Sequence, residues 1–241
     1  MTEEIQPLIG QDLRIIQRPG QYRFGLEALL LAAMVRGKPE GKAADLGSGD
    51  GAIPLLLAYR KVREVTGYEL QEDLVNMARR SAELNGLQDR VHFFQQDIRR
   101  IPQEVAADGF AVVTANPPFF RPGEGRISSN QSLALARHEL ACTLDDFTRA
   151  AAHLLRAGGD FFIAYRPERL VDLMLKCRET GLEPRILQPV QSRRGQEISM
   201  VLLGCRRGAR PGLTCHSPLI IYEGEEYSPA MAAIYRGEDL L

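Results

Sequence analysis

The chain is short of cysteine, lysine and long apolar runs, and each shortage removes a class of protein. Its four cysteines (Cys142, Cys177, Cys205, Cys215) include no CxxC pair, and with four histidines they form no metal-ligand spacing. They read as reduced, buried thiols rather than as a disulfide framework, and no metal site is expected. No apolar run approaches the ~20 residues that span a bilayer. The N-terminal MTEEIQPLIG lacks the charged and apolar regions of a signal peptide. A soluble, cytoplasmic protein with no membrane partner is the expectation. The formal net charge of −1 supplies no global field for nucleic acid, so any such role must rest on a local patch. Lysine occurs only at positions 38, 42, 61 and 176. The other cationic side chains are arginines, which suit phosphate forks and base stacking.

What is present is an alternation of apolar, β-rich runs with helical patterns. The strands are expected at 42–46, 64–70, 91–97, 110–118, 160–166, 185–190 and 197–206. Helices fall at 52–60, 71–86, 143–159 and 167–181. In the second of these Leu74, Met77, Ala78, Ala82 and Leu84 form the inward face. Such alternation implies an α/β, Rossmann-like fold with a mostly parallel seven-stranded sheet, an antiparallel last strand and helices on both faces. Two regions lie outside the alternation. Residues 1–41 carry a hairpin expected to turn at Pro19-Gly20, then the apolar helix LEALLLAAMV. Residues 211–241 carry a strand, a turn and a helix capped by Ser228 with Pro229 behind it. Without a linker to separate them, 1–241 reads as one domain with two extensions.

Two turns carry the chemistry. Asp45-Leu46-Gly47-Ser48-Gly49-Asp50-Gly51 follows a strand and opens a helix. Gly47 and Gly49 permit a tight turn and let a ligand lie against the backbone. Glu69 lies 24 residues beyond Asp45, at the end of the neighbouring strand, where a carboxylate accepts both hydroxyls of a ribose. Asp97, ending the third strand, is placed to face an adenine amino group. Position 52 is alanine rather than the third glycine of a dinucleotide fingerprint. Asp45 would repel a pyrophosphate but attract an ammonium. S-adenosylmethionine has an ammonium and no phosphate, and is the cofactor this turn favours.

The second turn, Asn116-Pro117-Pro118-Phe119, ends the fourth strand beside the crevice where open α/β sheets bind ligands. Its prolines remove two N–H donors and fix the backbone. A rigid pair of acceptors is left, the Asn116 side-chain oxygen and the Pro117 carbonyl. Accepting both hydrogens of an exocyclic amino group frees its lone pair for attack, and Phe119 offers a flat face for a flipped-out ring.

DLGSGDG, Glu69, the QQD at 95–97 and NPPF, in that order, resemble the amino-methylating group of class I S-adenosylmethionine-dependent methyltransferases. Three further stretches narrow the likeness: IIQRPGQYRFGLEALLLAA (15–33), ARHELACTLDDFTRAAAHLLRAGG (136–159) and SPLIIYEGEEYSPAMAAIYRG (217–237). With them nearly the whole chain is similar to the bacterial tRNA(valine) adenine-N6-methyltransferase family. That resemblance implies a tRNA substrate and places Phe24 and Glu27 in the cofactor pocket, Glu27 standing where the family commonly has Asp.

Methylation of guanine N2 in ribosomal RNA or of a protein glutamine stays open beside adenine N6. So does a non-catalytic RNA- or partner-binding protein on the same fold, while the acidic turn and NPPF disfavour a nicotinamide dehydrogenase. The stretch 193–210 holds five arginines and one glutamate. Arg193, Arg194, Arg206, Arg207 and Arg210 are therefore the expected RNA-facing patch. Arg193 and Arg194 are expected at the sheet edge of the NPPF turn, and the other three at the far end of the last strand. The oligomeric state has no sequence signal.

Overall fold

The computed structural model describes residues 3–9, 12–18, 25–35, 41–117 and 142–240. The elements before the glycine turn are β1 (Glu4–Ile9), β2 (Leu13–Gln17), α1 (Leu26–Met34) and β3 (Lys42–Leu46). After it come α2 (Ala52–Tyr59), β4 (Glu64–Glu69), α3 (Glu72–Leu84), β5 (Val91–Gln95), the short α4 (Ile101–Glu104) and β6 (Phe110–Ala115). Next are α5 (Leu144–Leu154), β7 (Leu155–Tyr165), α6 (Leu170–Glu179), β8 (Leu182–Arg193) and β9 (Ile198–Arg207). The C-terminal extension holds β10 (Thr214–Cys215), β11 (Leu219–Glu223), β12 (Glu226–Tyr227) and α7 (Pro229–Tyr235).

The main sheet has the order β12-β11-β8-β9-β7-β6-β3-β4-β5, with β10 also on β8. β3 to β7 are mutually parallel, and β9 is antiparallel to both of its neighbours. Strands β5 to β9 and β3 and β4 make up the expected seven. The extension lengthens this sheet by three short strands, two of them parallel to β8. Only one strand was expected there, because two-residue strands carry no periodicity to detect.

Adjacent residues of the inner strands serve opposite faces, as the pleat requires. Ala43, Val112 and Phe162 join the apolar layer of α1, α2, α3 and α7. Ala44, Val113 and Phe161 join the layer of α5 and α6. All six residues of β6 are buried, the signature of a parallel strand covered on both sides. Helix starts follow local chemistry. Thr143 and Asp146 form a capping box on α5, and the Ser228 hydroxyl accepts from Met231 N–H at 3.1 Å with Pro229 behind it. Among the described residues no helix is long and apolar enough to cross a membrane.

Two expectations change. Leu13–Gln17 pairs antiparallel with Glu4–Ile9, so the hairpin turns before Leu13. Pro19 and Gly20 lie outside the described residues. On α3 the buried set is Val75, Met77, Ala78, Ser81 and Ala82, whereas Leu74 and Leu84 are half-buried. Ser81 can be buried because its hydroxyl donates to Met77 O and accepts from Ile16 N–H, both at 3.0 Å.

Gly51, the last glycine of the turn, shows how tightly β5 and α3 close on it. Its φ is 92°, and a Cβ there would lie 2.7 Å from Phe93 Cζ and 2.9 Å from Ala78 Cβ. Gly51→Ala should lower the unfolding free energy by about 1–3 kcal/mol, the range for an overpacked core, read as a fall in the urea midpoint with unchanged m-value.

Candidate active site

Strand register assembles the site. Leu46 of β3 pairs with Tyr68 of β4 on one side and with Ala115 of β6 on the other. The next residue along each strand is Gly47, Glu69 and Asn116. Three adjacent parallel strands therefore deliver the glycine turn, a carboxylate and an amide at one level, each about 5 Å from the next.

The turn is fastened to β4. Tyr68 O accepts from Gly47 N–H at 2.8 Å and from Ser48 N–H at 3.0 Å. Glu69, 3% exposed, accepts from Gly49 N–H through Oε2 and from Gln71 N–H through Oε1, both at 3.0 Å. The approach to Gly49 is open: its φ is 55°, and no atom would lie within 4 Å of a Cβ built there.

Asp45 is fully buried. Its Oδ1 accepts from the Thr114 hydroxyl at 2.7 Å, while Oδ2 has no partner among the described residues. Burial pushes its pKa up to about 7; the Thr114 and Ser48 hydroxyls oppose the shift and the Glu69 charge adds to it. Burial likewise raises Asp50 to about 6, opposed chiefly by the Gln17 amide. Neither Asp45, Asp50 nor Glu69 forms an ion pair among the described residues. Three carboxyl groups thus meet at one turn.

Asn116 follows β6, and its Oδ1 is buried with no hydrogen-bond donor among the described residues. Pro117 is buried behind it. Asp97 caps the turn after β5, and both of its oxygens accept from Arg99, whose guanidinium holds its pKa below the ordinary value. Glu27 sits in the first turn of α1, half-buried, with its carboxylate folded over Gly25. Phe24 and Phe119 lie outside the described residues. Burial lifts the nearby Cys142 thiol to about 11, so it is no thiolate nucleophile at neutral pH.

The arginine patch divides. β8 runs parallel to β7, so Arg193 and Arg194 lie at the edge where Asn116 emerges. Arg193 donates to Gly224 O and stands 5.7 Å from the Tyr222 ring centre, whereas Arg194 is exposed. Arg206 and Arg207 lie at the opposite edge, paired with Asp160 and Asp108. Arg210, exposed, follows them. A cavity of about 700 Å³ also opens at that far edge, lined in part by Arg156, Arg185 and Arg206. Among the described residues no buried, unpartnered side-chain acceptor lines it, and Asn116, Asp45 and Glu69 lie at the other edge.

The chain matches the model of the methyltransferase small domain over residues 24–176, a span that includes the turn, Glu69 and Asn116. It belongs to this family. Over 210 residues this methyltransferase is 26% identical to the tRNA1(Val) (adenine(37)-N6)-methyltransferase of Yersinia pseudotuberculosis (serotype O:3, strain YPIII), covering 86% of this chain and 81% of that one. The protein of the same name from Yersinia pestis (strain Pestoides F) is 26% identical, with 86% and 83% covered. A crystal structure from Agrobacterium tumefaciens, described as a predicted O-methyltransferase, superposes with a TM-score of 0.72 at 25% identity over 89% of this chain and 98% of that one. The fold alone is shared with geranyl diphosphate methyltransferase in complex with S-adenosylmethionine (TM-score 0.54, 13% identity, 76% and 84% covered).

Sequence reasoning passed over two residues of this methyltransferase. Asp50 was legible as a second acid within the turn. Gln17, whose amide donates to the Asp50 carboxylate, lies in the 15–33 stretch that carries the resemblance, but no sequence signal assigned it a role.

The raised pKa of Asp45 has a consequence for stability. Between about pH 4 and pH 7 the folded protein retains a proton that the unfolded chain has released, so this residue's contribution to stability falls as pH rises through that window. Asp45→Asn, which keeps an acceptor for Thr114 and carries no charge, should gain on the wild type from about pH 4 to pH 7, by up to about 1.4 kcal/mol per pH unit, and level off above that. Chemical denaturation of the ligand-free proteins across that range measures the difference.

Proposed function

We propose that the protein transfers the methyl group of S-adenosylmethionine to an exocyclic amino nitrogen of an RNA base, with adenine N6 of a tRNA as the target. One observation carries the amino-group assignment: the Asn116 Oδ1 is buried and has no donor among the described residues, at the strand end beside the glycine turn. A buried, unsatisfied amide oxygen costs about 1–3 kcal/mol. An incoming N–H offsets that cost.

The residues of the turn fit the donor. Asp45 Oδ2 is unpartnered, the approach to Gly49 is open, and Glu69 retains lone pairs for a ribose diol. The bound donor supplies an electrophilic methyl group on a sulfonium. The protein's share is positioning and electrostatics. Asn116 Oδ1 and the Pro117 carbonyl accept the two N–H bonds of the target amino group. Held at two fixed points, its nitrogen moves toward tetrahedral geometry and its lone pair leaves the ring π system. The proton departs after transfer, from a nitrogen that is then cationic, so no strong base is required. A hydroxyl target has one hydrogen and would leave an acceptor unmatched, which favours an amino group. The tRNA assignment is supported by the names of the Yersinia relatives and by Arg193 and Arg194 at the same edge as Asn116.

Two outcomes test the reading. Asn116→Ala should keep its affinity for S-adenosylmethionine within a few-fold, while single-turnover methylation falls by ~100-fold or more, comparable to loss of one transition-state hydrogen-bond partner. Nucleoside mass spectrometry on cells lacking the protein should show N6-methyladenosine missing from a tRNA. Intact tRNA with N2-methylguanosine missing from ribosomal RNA would move the target to guanine.

A further inference from the structure

We infer that Gln17 is a positioning residue for the amino-acid end of the methyl donor, an assignment that rests on the proposed use of S-adenosylmethionine. Gln17 ends β2, before residues 24–176 that match the family. Its neighbours Ile15 and Ile16 are buried apolar residues, yet at 2% exposure the chain places an amide among them. Its Nε2 donates to Asp50 Oδ2. Its Oε1 is buried and has no partner among the described residues. The amide orientation follows from the chemistry, since the reverse would set an oxygen against a carboxylate.

Two buried acceptors therefore flank one glycine turn without a donor, Gln17 Oε1 and Asp45 Oδ2. Three carboxyl groups, those of Asp45, Asp50 and Glu69, also meet at this turn, and no cation pairs with any of the three among the described residues. The complementary ligand group is a cation with several N–H bonds, a primary ammonium. The donor's amino-acid end carries one.

The backbone around Gln17 is held for this purpose by α3. Asn85 exchanges hydrogen bonds with Arg14, accepting from its N–H at 2.9 Å and donating to its carbonyl at 2.6 Å. Ser81 accepts from Ile16 N–H, and Arg18 pairs with Asp73. With the strand anchored on both sides and Nε2 engaged by Asp50, the Gln17 amide is held in place. That is preorganisation of an acceptor.

Isothermal titration of the intact protein tests the assignment with two probes. S-adenosylmethionine carries the amino-acid end; 5′-methylthioadenosine has the same adenosine and lacks that end. Gln17→Met, which keeps the length of the side chain and removes the amide, should bind S-adenosylmethionine at least ten-fold more weakly and 5′-methylthioadenosine within two-fold of wild type. Equal weakening of both probes would make Gln17 a support of the turn as a whole, and unchanged affinity for both would remove it from the site. Either result overturns the assignment. Binding of neither probe by the wild type would instead overturn the donor reading on which it rests. If circular dichroism shows Gln17→Met unfolded, Gln17→Asn, which withdraws the oxygen by one methylene, should show the same selective loss at three-fold or more.

Discussion

The carboxylate of Glu69 is the tie on which the candidate site depends. One oxygen takes the Gly49 N–H and the other takes the Gln71 N–H, so a single side chain joins the turn after β3 to the start of α3. A charged acceptor makes stronger hydrogen bonds than a neutral one, and burial at 3% exposure removes water as a competitor. The tie matters because the rest of the turn relies on glycine backbone, which loses more conformational freedom on folding than any other. Glu69 and the Tyr68 carbonyl together restrain it.

That arrangement collects negative charge where there is little water to screen it. Asp45, Asp50 and Glu69 meet around one turn, and two of the three are pushed well above ordinary carboxylate pKa values by burial. A core designed for stability alone would not hold unpaired acids, since each buried charge without a partner is costly. Orphaned acceptors on Gln17, Asp45 and Asn116 point the same way. Among the described residues, the buried side-chain acceptors without a donor lie at the carboxyl ends of β3 and β6 and on the hairpin strand beside them, while the unmatched donors of Arg60 lie at the far end of α2. The carboxyl edge is where open α/β sheets bind their ligands.

The extensions act on the two ends of the structure differently. The N-terminal hairpin is bound to α3 through Ser81, Asn85 and Asp73, and so brings Gln17 against the turn. The C-terminal segment lengthens the sheet beyond β8 and returns to the body. There Arg60 of the α2 C-cap holds Glu238 O and Asp239, and Leu240 N–H donates to Ala33 O. Arg193 is drawn into this extension through Gly224 and Glu225, leaving Arg194 as the more exposed of the pair. The remaining arginines of the sequence cluster serve the opposite edge of the sheet.

Sequence by itself determined the α/β alternation, the seven inner strands, the glycine turn with Glu69 beyond it, and Asn116 at the end of β6. These features are local: each depends on apolar periodicity, on residues that only a turn accommodates, or on a fixed spacing between consecutive strands. Only the tertiary structure decided which distant residues meet. Gln17 and Asp50 are joined because β2 pairs with β1 and docks on α3, and neither residue's neighbours in sequence encode that docking. Ser81 could be buried on α3 only because a backbone N–H from another element reaches it. The arginine cluster read as one patch because its members are close in sequence. Strand β9, ten residues long, carries them to opposite edges of the sheet. Proximity along a strand is distance in space, at about 3.3 Å per residue.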